Sequence, residues 1–532
     1  MKGFTLLFLL AFGLSLYSQG FNGLYGIDST AYGSAEDYVN DLIFNPTTQH
    51  TFVAGFLKRS PIGGGTVQEI GTLSHFDENG NLIYSKTTSF EEIHSVVRTP
   101  EGHLLLTGRG TGLLCNGVCK ADYWVAEADE DGQFLWGRSF GNLVNDGNDI
   151  GYAGAIMSNG DRLTVGYYYH TTYNSKVFIA RLTSQGDTVW TKSYGMYSGQ
   201  QCGYSVYVDS NDDIYIGGTT TVGGGLLLMK LTSSGTLTWA KTYVTPAGRI
   251  LKIFKKSDGT FLLCGQAISN GDYMVNLTNV DANGSLLWSK EYGVENSDNE
   301  TFFEDAYMSP NGEIYLTGYY YDEVNYVFPG NRPYYMKLDA LGNVLWAKRY
   351  TTYYGEGRVL QMHPSNNLLW GGIHMQNAFT QFWAKQPESW WSLMGTNGNN
   401  DCFTACTMIQ NNSVASASTK NFYAFTGYTT DNPIPSSTSY LTFKTPKCSS
   451  PLGLLENDGN TFEINPNPST GDVILTTKGN LLGKITIINE QGQHVLSIDE
   501  PSQQVQISLP FGVYFIRQMD FGIVKKLIIV GN

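Results

Sequence analysis

The sequence predicts an all-β chain: an eight-bladed β-propeller, with seven blades as the alternative count, followed by a small immunoglobulin-like β-sandwich. Three observations predict it. The 532 residues include 61 Gly and 34 Tyr, with 13% aromatic and only 15% charged residues. Such a chain is rich in turn and strand formers, and no long stretch carries a helical period. One aromatic-bearing motif recurs along it. A glycine closing an apolar strand also returns about every 50 residues, the period of a four-stranded propeller blade.

The chain opens with Met1-Lys2, an apolar run from Phe4 to Leu16, and then Tyr17-Ser18. A basic start, a short apolar core and a small residue predict a secretory signal peptide over residues 1–18, cut after Ser18. The run is too short for a membrane-spanning helix, and no Cys follows it to carry a lipid. A net charge of −14 lacks the basic footprint that nucleic-acid binding requires.

Residues 19–448 carry the repeat. A four-residue turn ending in Gly leads to an aromatic residue: Gly132 to Trp136, Gly186 to Trp190, Gly235 to Trp239, Gly284 to Trp288 and Gly342 to Trp346. Where an Asp opens the turn it is expected to bond its own backbone, and the Gly to supply a positive φ. The tryptophans are expected to fill the wedges between blades. The strand-closing glycines are Gly55, Gly108, Gly166, Gly217, Gly265, Gly318, Gly371 and Gly427. Eight glycines against seven aromatic turns are reconciled if Phe21 to Gly26 supplies the outer strand of the last blade, closing the ring and removing a sheet edge. Tight turns alternate with long connections, so one face carries the tight turns and the other all the long loops.

Aromatic clusters flank those long loops. Tyr168, Tyr320, Tyr354 and Trp391 are the candidate ligand contacts, for a glycan or a surface protein. No catalytic motif is present: no Gly-x-Ser-x-Gly, no His-Glu-x-x-His and no phosphate loop. A secreted polysaccharide-degrading enzyme with carboxylates around the channel, and a structural part of a surface assembly, are the rival readings. Cys115 and Cys119 could close a small disulfide ring. Cys402 and Cys406, about 13 Å apart along a strand, could not pair with each other. Cys264 reads as a buried strand thiol. No cofactor is implied. Calcium is the one candidate ion, at the oxygen-rich strings 145–149 and 209–213, neither of which is an EF-hand loop.

Leu338 to Trp346, Leu-Asp-x-x-Gly-x-x-x-Trp, resembles the repeats of quinoprotein-like propellers. The adjacent Cys-Cys pair of the quinone-dependent members is absent, so their cofactor is not implied. The turns also look similar to sialidase Asp-boxes, in the wrong register. Beyond a linker over 449–460, residues 461–532 carry a more specific pattern. Asn465-Pro-Asn-Pro468, the Asn489 to Gly492 turn, Gly512-Val-Tyr514 and Lys525-Lys526 follow one another in an order that resembles the type IX secretion sorting domain, type A. That resemblance implies export across the inner and outer membranes of a Gram-negative cell. It also implies contact with the type IX translocon and its sorting machinery, and release or surface attachment. By the same resemblance, recognition falls on Pro466, Asn467, Pro468, Gly471, Gly512, Tyr514, Lys525 and Lys526.

Overall fold

The computed structural model divides the chain into two compact units, Met1–Ser450 and Pro451–Asn532. It describes residues 22–26, 34–60, 67–111, 121–141, 148–170, 174–196, 198–222, 225–243, 247–269, 271–294, 300–322, 330–350, 354–363, 367–375 and 387–395. Five short strands between 403 and 444 follow, and then 462–466, 469, 472–477, 485–489, 494–498, 504–518 and 523–530. The signal peptide, the linker, Cys115, Cys119, Cys402, Cys406 and Cys448 lie outside these. Cys202 and Cys264 are buried free thiols.

The described residues of the first unit form seven antiparallel sheets, six built on four successive strands and the last on three. We number them blades 1 to 7. Their first, innermost strands are Ser34–Phe44, Phe90–Arg98, Ile150–Ile156, Gln201–Val208, Gly248–Lys255, Thr301–Met308 and Tyr354–Met362. Each inner strand touches that of the next blade, and blade 7 returns to blade 1, so the ring is closed. The strand Asn22–Gly26 pairs with the third strand of blade 7, Leu24 opposite Trp390. The N-terminus thus supplies the outer strand that completes the last blade.

The expected eighth blade is absent from the described residues. In its place, five strands of three to five residues run along the outer edges of existing blades. Phe403–Ala405 pairs with blade 6, Met408–Asn412 with blade 5, Ala417–Thr419 with blade 4 and Tyr423–Phe425 with blade 3. Thr442–Lys444 then pairs with Asn22–Gly26 at the edge of blade 7. Strands this short cannot bury a sheet of their own, so they extend sheets already formed. Gly427, the eighth glycine of the count, lies outside the described residues.

One inter-blade staple repeats at the tight-turn end. Tyr84, Trp136, Trp190, Trp239 and Trp288 each rest on the turn glycine of the following blade: Gly132, Gly186, Gly235, Gly284 and Gly342. A Cβ at Gly284 would come within 2.9 Å of the Trp239 ring, and these glycines have φ between 70° and 81°. Two separate demands therefore select Gly there. Two residues beyond the aromatic, Lys86, Lys192 and Lys290 donate to carbonyls of the same turns. Two residues further, the hydroxyls of Tyr243 and Tyr292 donate to Gly284 and Gly342 carbonyls at 2.9 and 2.6 Å, and Tyr194 donates likewise to Gly235. Trp346 packs edge-on against Tyr335. The turn aspartates close their own turns: Asp281 Oδ1 accepts from the backbone of Asn283 and Ser285. In string 209–213, Asp209 does the same for Asn211 and Asp213, and Asp213 pairs with Lys230.

The second unit is built from a three-stranded and a four-stranded antiparallel sheet. Alternate residues of both sheets, among them Val473, Leu475, Ile485, Ile487, Ile516 and Leu527, share one buried core, which makes the pair a sandwich. No helix among the described residues is long and apolar enough to cross a membrane.

Candidate functional site

A channel of about 710 Å3 runs between the seven inner strands. Its wall is shaped by one backbone device used seven times. Every inner strand carries a β-bulge at the same level, and the bulged residues are Asn40, His94, Tyr152, Tyr204, Leu251, Glu304 and Arg358. All seven line the channel. A bulge re-aims a side chain and presses the backbone outward. Here the carbonyl two residues before each bulge lies against a glycine of the second strand. A Cβ at Gly55, Gly108, Gly166, Gly218, Gly265, Gly318 or Gly372 would sit 1.9–2.2 Å from that oxygen. In blades 4 and 7 the required residue is thus Gly218 and Gly372, one position past the glycine that the repeat spacing picks out.

The residue after the bulge ties neighbouring blades together. Asp41 Oδ2 accepts from the Val96 amide and Asp305 Oδ2 from the Leu360 amide, both at 2.9 Å. Ser205 donates to the Ile250 carbonyl at 3.2 Å. Lys252 Nζ stands 2.9 Å from Asp305. Burial pushes the Asp41 carboxyl up to about 6, with Lys252 opposing and Asp305 adding to the rise. Both oxygens of Asp41 and of Asp305 already accept backbone hydrogen bonds, so these acids act as inter-blade struts.

The bulge level differs in character around the ring. Blades 2 to 4 present an aromatic arc, which Arg249 of blade 5 extends. His94 and Tyr152 have ring centroids 4.8 Å apart, Tyr152 and Tyr204 also 4.8 Å, and the Arg249 guanidinium lies 5.9 Å from the Tyr204 ring. Burial raises the Tyr152 and Tyr204 hydroxyls above the ordinary tyrosine value, so both remain neutral donors. Blades 6, 7, 1 and 2 present ion pairs. Glu304 meets Arg358 at 3.2 Å, Arg358 also pairs with Glu356, and Lys58 meets Glu69 at 3.2 Å. Glu92 lies 3.1 Å from His94 and 2.9 Å from Arg109. Burial works against the Glu92 carboxylate, yet hydrogen bonds and charge from His94 and Arg109 hold it down at about 2.

Of the candidate aromatic contacts, Tyr168 and Tyr320 do not reach this site. Tyr168 and Tyr320 are 3% and 1% exposed and belong to inter-blade cores. Strand alternation is the reason: the half-buried neighbours Tyr167 and Tyr319 take the opposite face. Tyr167 lies 6.0 Å from channel-lining Tyr152, and Tyr319 stacks on Phe302 at 4.6 Å. Tyr354 opens the inner strand of blade 7 and Trp391 lies in its third strand, Pro387–Gly395; their side chains are outside the described residues. The channel residues themselves escaped the sequence reading because no two neighbouring blades but 3 and 4 share a side chain at the bulge. A positional signal existed. The bulge precedes its glycine by fourteen positions in six blades, as from Tyr152 to Gly166, and by fifteen in blade 1.

In the second unit, the first and last motifs of the tail lie side by side. The Ser469 amide donates to the Ile528 carbonyl at 2.9 Å, and its carbonyl accepts from Val530 at 2.7 Å. Pro466 is exposed. Lys525 and Lys526 stand in the last strand opposite Ile516 and Phe515. Tyr514 is buried and donates to the Pro510 carbonyl at 3.0 Å, and Gly512 begins its strand. Asn467, Pro468 and Gly471 lie outside the described residues.

Residues 463–530 match the family model described as secretion system C-terminal sorting domain. The tail therefore marks the chain for type IX export to the cell surface or the medium, in contact with that secretion machinery. A comparison with curated protein sequences finds no match. Similar solved structures include the Dos1 propeller, at 11% identity over 70% of this chain and 95% of that one, with a TM-score of 0.41. The polysaccharide lyase Uly1 covers 72% of this chain and 94% of its own, at 11% identity and a TM-score of 0.38. PorZ is described as an essential bacterial surface component of the type IX secretion system of Porphyromonas gingivalis. It is similar at 10% identity over 92% of this chain and 81% of its own, with a TM-score of 0.29.

Proposed function

We propose that the seven-sheet unit is a binding or adhesion module carried to the cell surface or beyond by its immunoglobulin-like sorting tail. Its ligand, a glycan or a surface protein, enters the central channel from the long-loop end. The observation that carries this reading is the contrast between a repeated bulge and its unrepeated side chains. Seven identical backbone devices aim Asn, His, Tyr, Tyr, Leu, Glu and Arg into one channel. A purely structural wall would repeat its residues, as the tight-turn end repeats its tryptophans.

An enzyme would need acids free to exchange protons with a substrate. Asp41 and Asp305 are fully engaged by backbone amides, and Glu304 and Glu92 by guanidinium groups. That favours holding over turning over. The mature chain would be tested on a glycan array and in pull-downs from a bacterial surface fraction, beside Arg358→Ala. Retention of one ligand by the parent and its loss in the variant is the expected result. Depolymerisation of a polysaccharide by the parent would overturn the reading in favour of an enzyme.

A further inference from the structure

We infer that the aromatic arc from His94 to Arg249 seats a neutral oligosaccharide, an inference that rests on the binding reading above and narrows it to one ligand class. The rings of His94, Tyr152 and Tyr204 are continuous across blades 2 to 4 at the bulge level, and Arg249, two residues before the blade 5 bulge, extends them. Tyr152 and Tyr204 are half-buried and line the channel, unlike Tyr168 and Tyr320, which are spent on packing between blades. Two tilted rings 4.8 Å apart line the channel beside neutral hydroxyl donors. The C–H face of a pyranose ring needs that combination: a flat apolar surface with polar groups at its rim.

The facing arc supplies the complement. Glu304 and Arg358, 3.2 Å apart, offer an acceptor pair and a donor fork side by side. Adjacent sugar hydroxyls, each donor and acceptor at once, can satisfy both. The charges along the wall cancel. Asp41, Glu92, Glu304 and Asp305 are matched by Lys58, Arg249, Lys252 and Arg358, so no net field draws in a polyanion. That balance argues against uronate polymers and nucleic acids alike. A volume of about 710 Å3 falls within the roughly 300–1,000 Å3 of small-ligand sites, enough for a short stretch of sugar units.

The test is calorimetric titration of the mature chain with xylohexaose, cellohexaose and mannohexaose, with polygalacturonate as the acidic comparator, at low and high salt. At least one neutral hexasaccharide is expected to bind with an affinity that salt leaves unchanged. Tyr204→Ala and Tyr152→Ala should each weaken it by roughly tenfold or more, the worth of one lost stacking contact. Tyr204→Phe, which keeps the ring, should stay within roughly threefold of the parent. Leu341→Ala, on a residue 64% exposed at the tight-turn end, should change nothing. Matching melting curves would show that the variants fold. Binding of polygalacturonate alone, weakening with salt, would overturn the inference, as would hexasaccharide binding indifferent to both tyrosine variants. Capture of a surface protein with no sugar bound would sink the inference and leave the binding reading standing. Absence of any ligand would remove both.

Discussion

The two ends of the propeller use repetition in opposite ways. At the tight-turn end the residues themselves repeat: an aromatic on the next blade's glycine, a lysine and a tyrosine on that turn's carbonyls. At the channel only the backbone repeats, and every bulge but two carries a different side chain. Where a contact must be made between each pair of blades, the same residues solve the same problem each time. Where seven positions converge on one space, each is free to differ. The repeat thus separates the staples of the fold from its candidate site.

The comparison can be broken at the backbone device first. Gly265→Ala places a Cβ about 2.0 Å from the Arg249 carbonyl. The strand pair must part, so a loss above about 4 kcal/mol is expected by chemical denaturation. Parent-like stability would show that the bulge does not require its glycine. At the tight-turn end, Arg162 is fully buried and bonds Glu127, itself 1% exposed, at 2.8 and 3.0 Å. Arg162→Met leaves that buried carboxylate only its contact with His103 and should cost about 3 kcal/mol. Trp239→Ala removes one staple, half-buried, and should cost about 2–3 kcal/mol. Lys290→Met, on an exposed pair of hydrogen bonds, should cost under about 1 kcal/mol.

The two ends also respond to acid with opposite sign. His75, near the tight turns, is lowered to about 4 by burial and by His50. Its unfolded form takes a proton first, so stability falls as the pH drops from 6.5 towards 4. Asp41, in the channel, is raised to about 6. Its contribution is full below 3.8 and fades as the pH rises through 6. Between pH 7 and pH 5, His75→Gln should therefore lose less stability than the parent and Asp41→Asn more, each by about 1–2 kcal/mol, read from melting curves at both values. The smallest effect is on stability at the bulge itself: Tyr204→Ala should cost under about 1 kcal/mol. A large loss there would make Tyr204 a staple and erase the distinction between the ends.

What could be read from the sequence follows the same division. The turn glycines, the tryptophans and the closing strand Asn22–Gly26 were legible because residue identity or spacing recurs. The sorting tail was legible because its motifs stand in a fixed order. The eighth blade was expected in segment 396–448, whose described strands are too short to show alternation and add to other sheets; the described residues form the seven sheets of the alternative count. Two of the candidate contacts, Tyr168 and Tyr320, missed by one position. Tyr168 shares its strand face with Gly166 and Tyr320 with Gly318, and that face packs between blades. The bulges leave no residue signature, since a bulge constrains the glycine opposite and not the side chain it displays.

The pairing of Asn22–Gly26 bears on the order of events in time. Its first partner, Ser389 to Ser392, stands about 370 residues downstream, and its second, Thr442 to Lys444, later still. Joining ends so distant costs about 5 kcal/mol of loop entropy beyond the constant for a short loop. The cost falls once the intervening blades have folded and hold the ends near each other. Blades 1 to 6 can each form as the chain emerges, but the strand made first must wait for almost the last. The propeller is therefore an open arc for most of its synthesis and becomes a ring in one late step, when both ends of its chain are finally in hand.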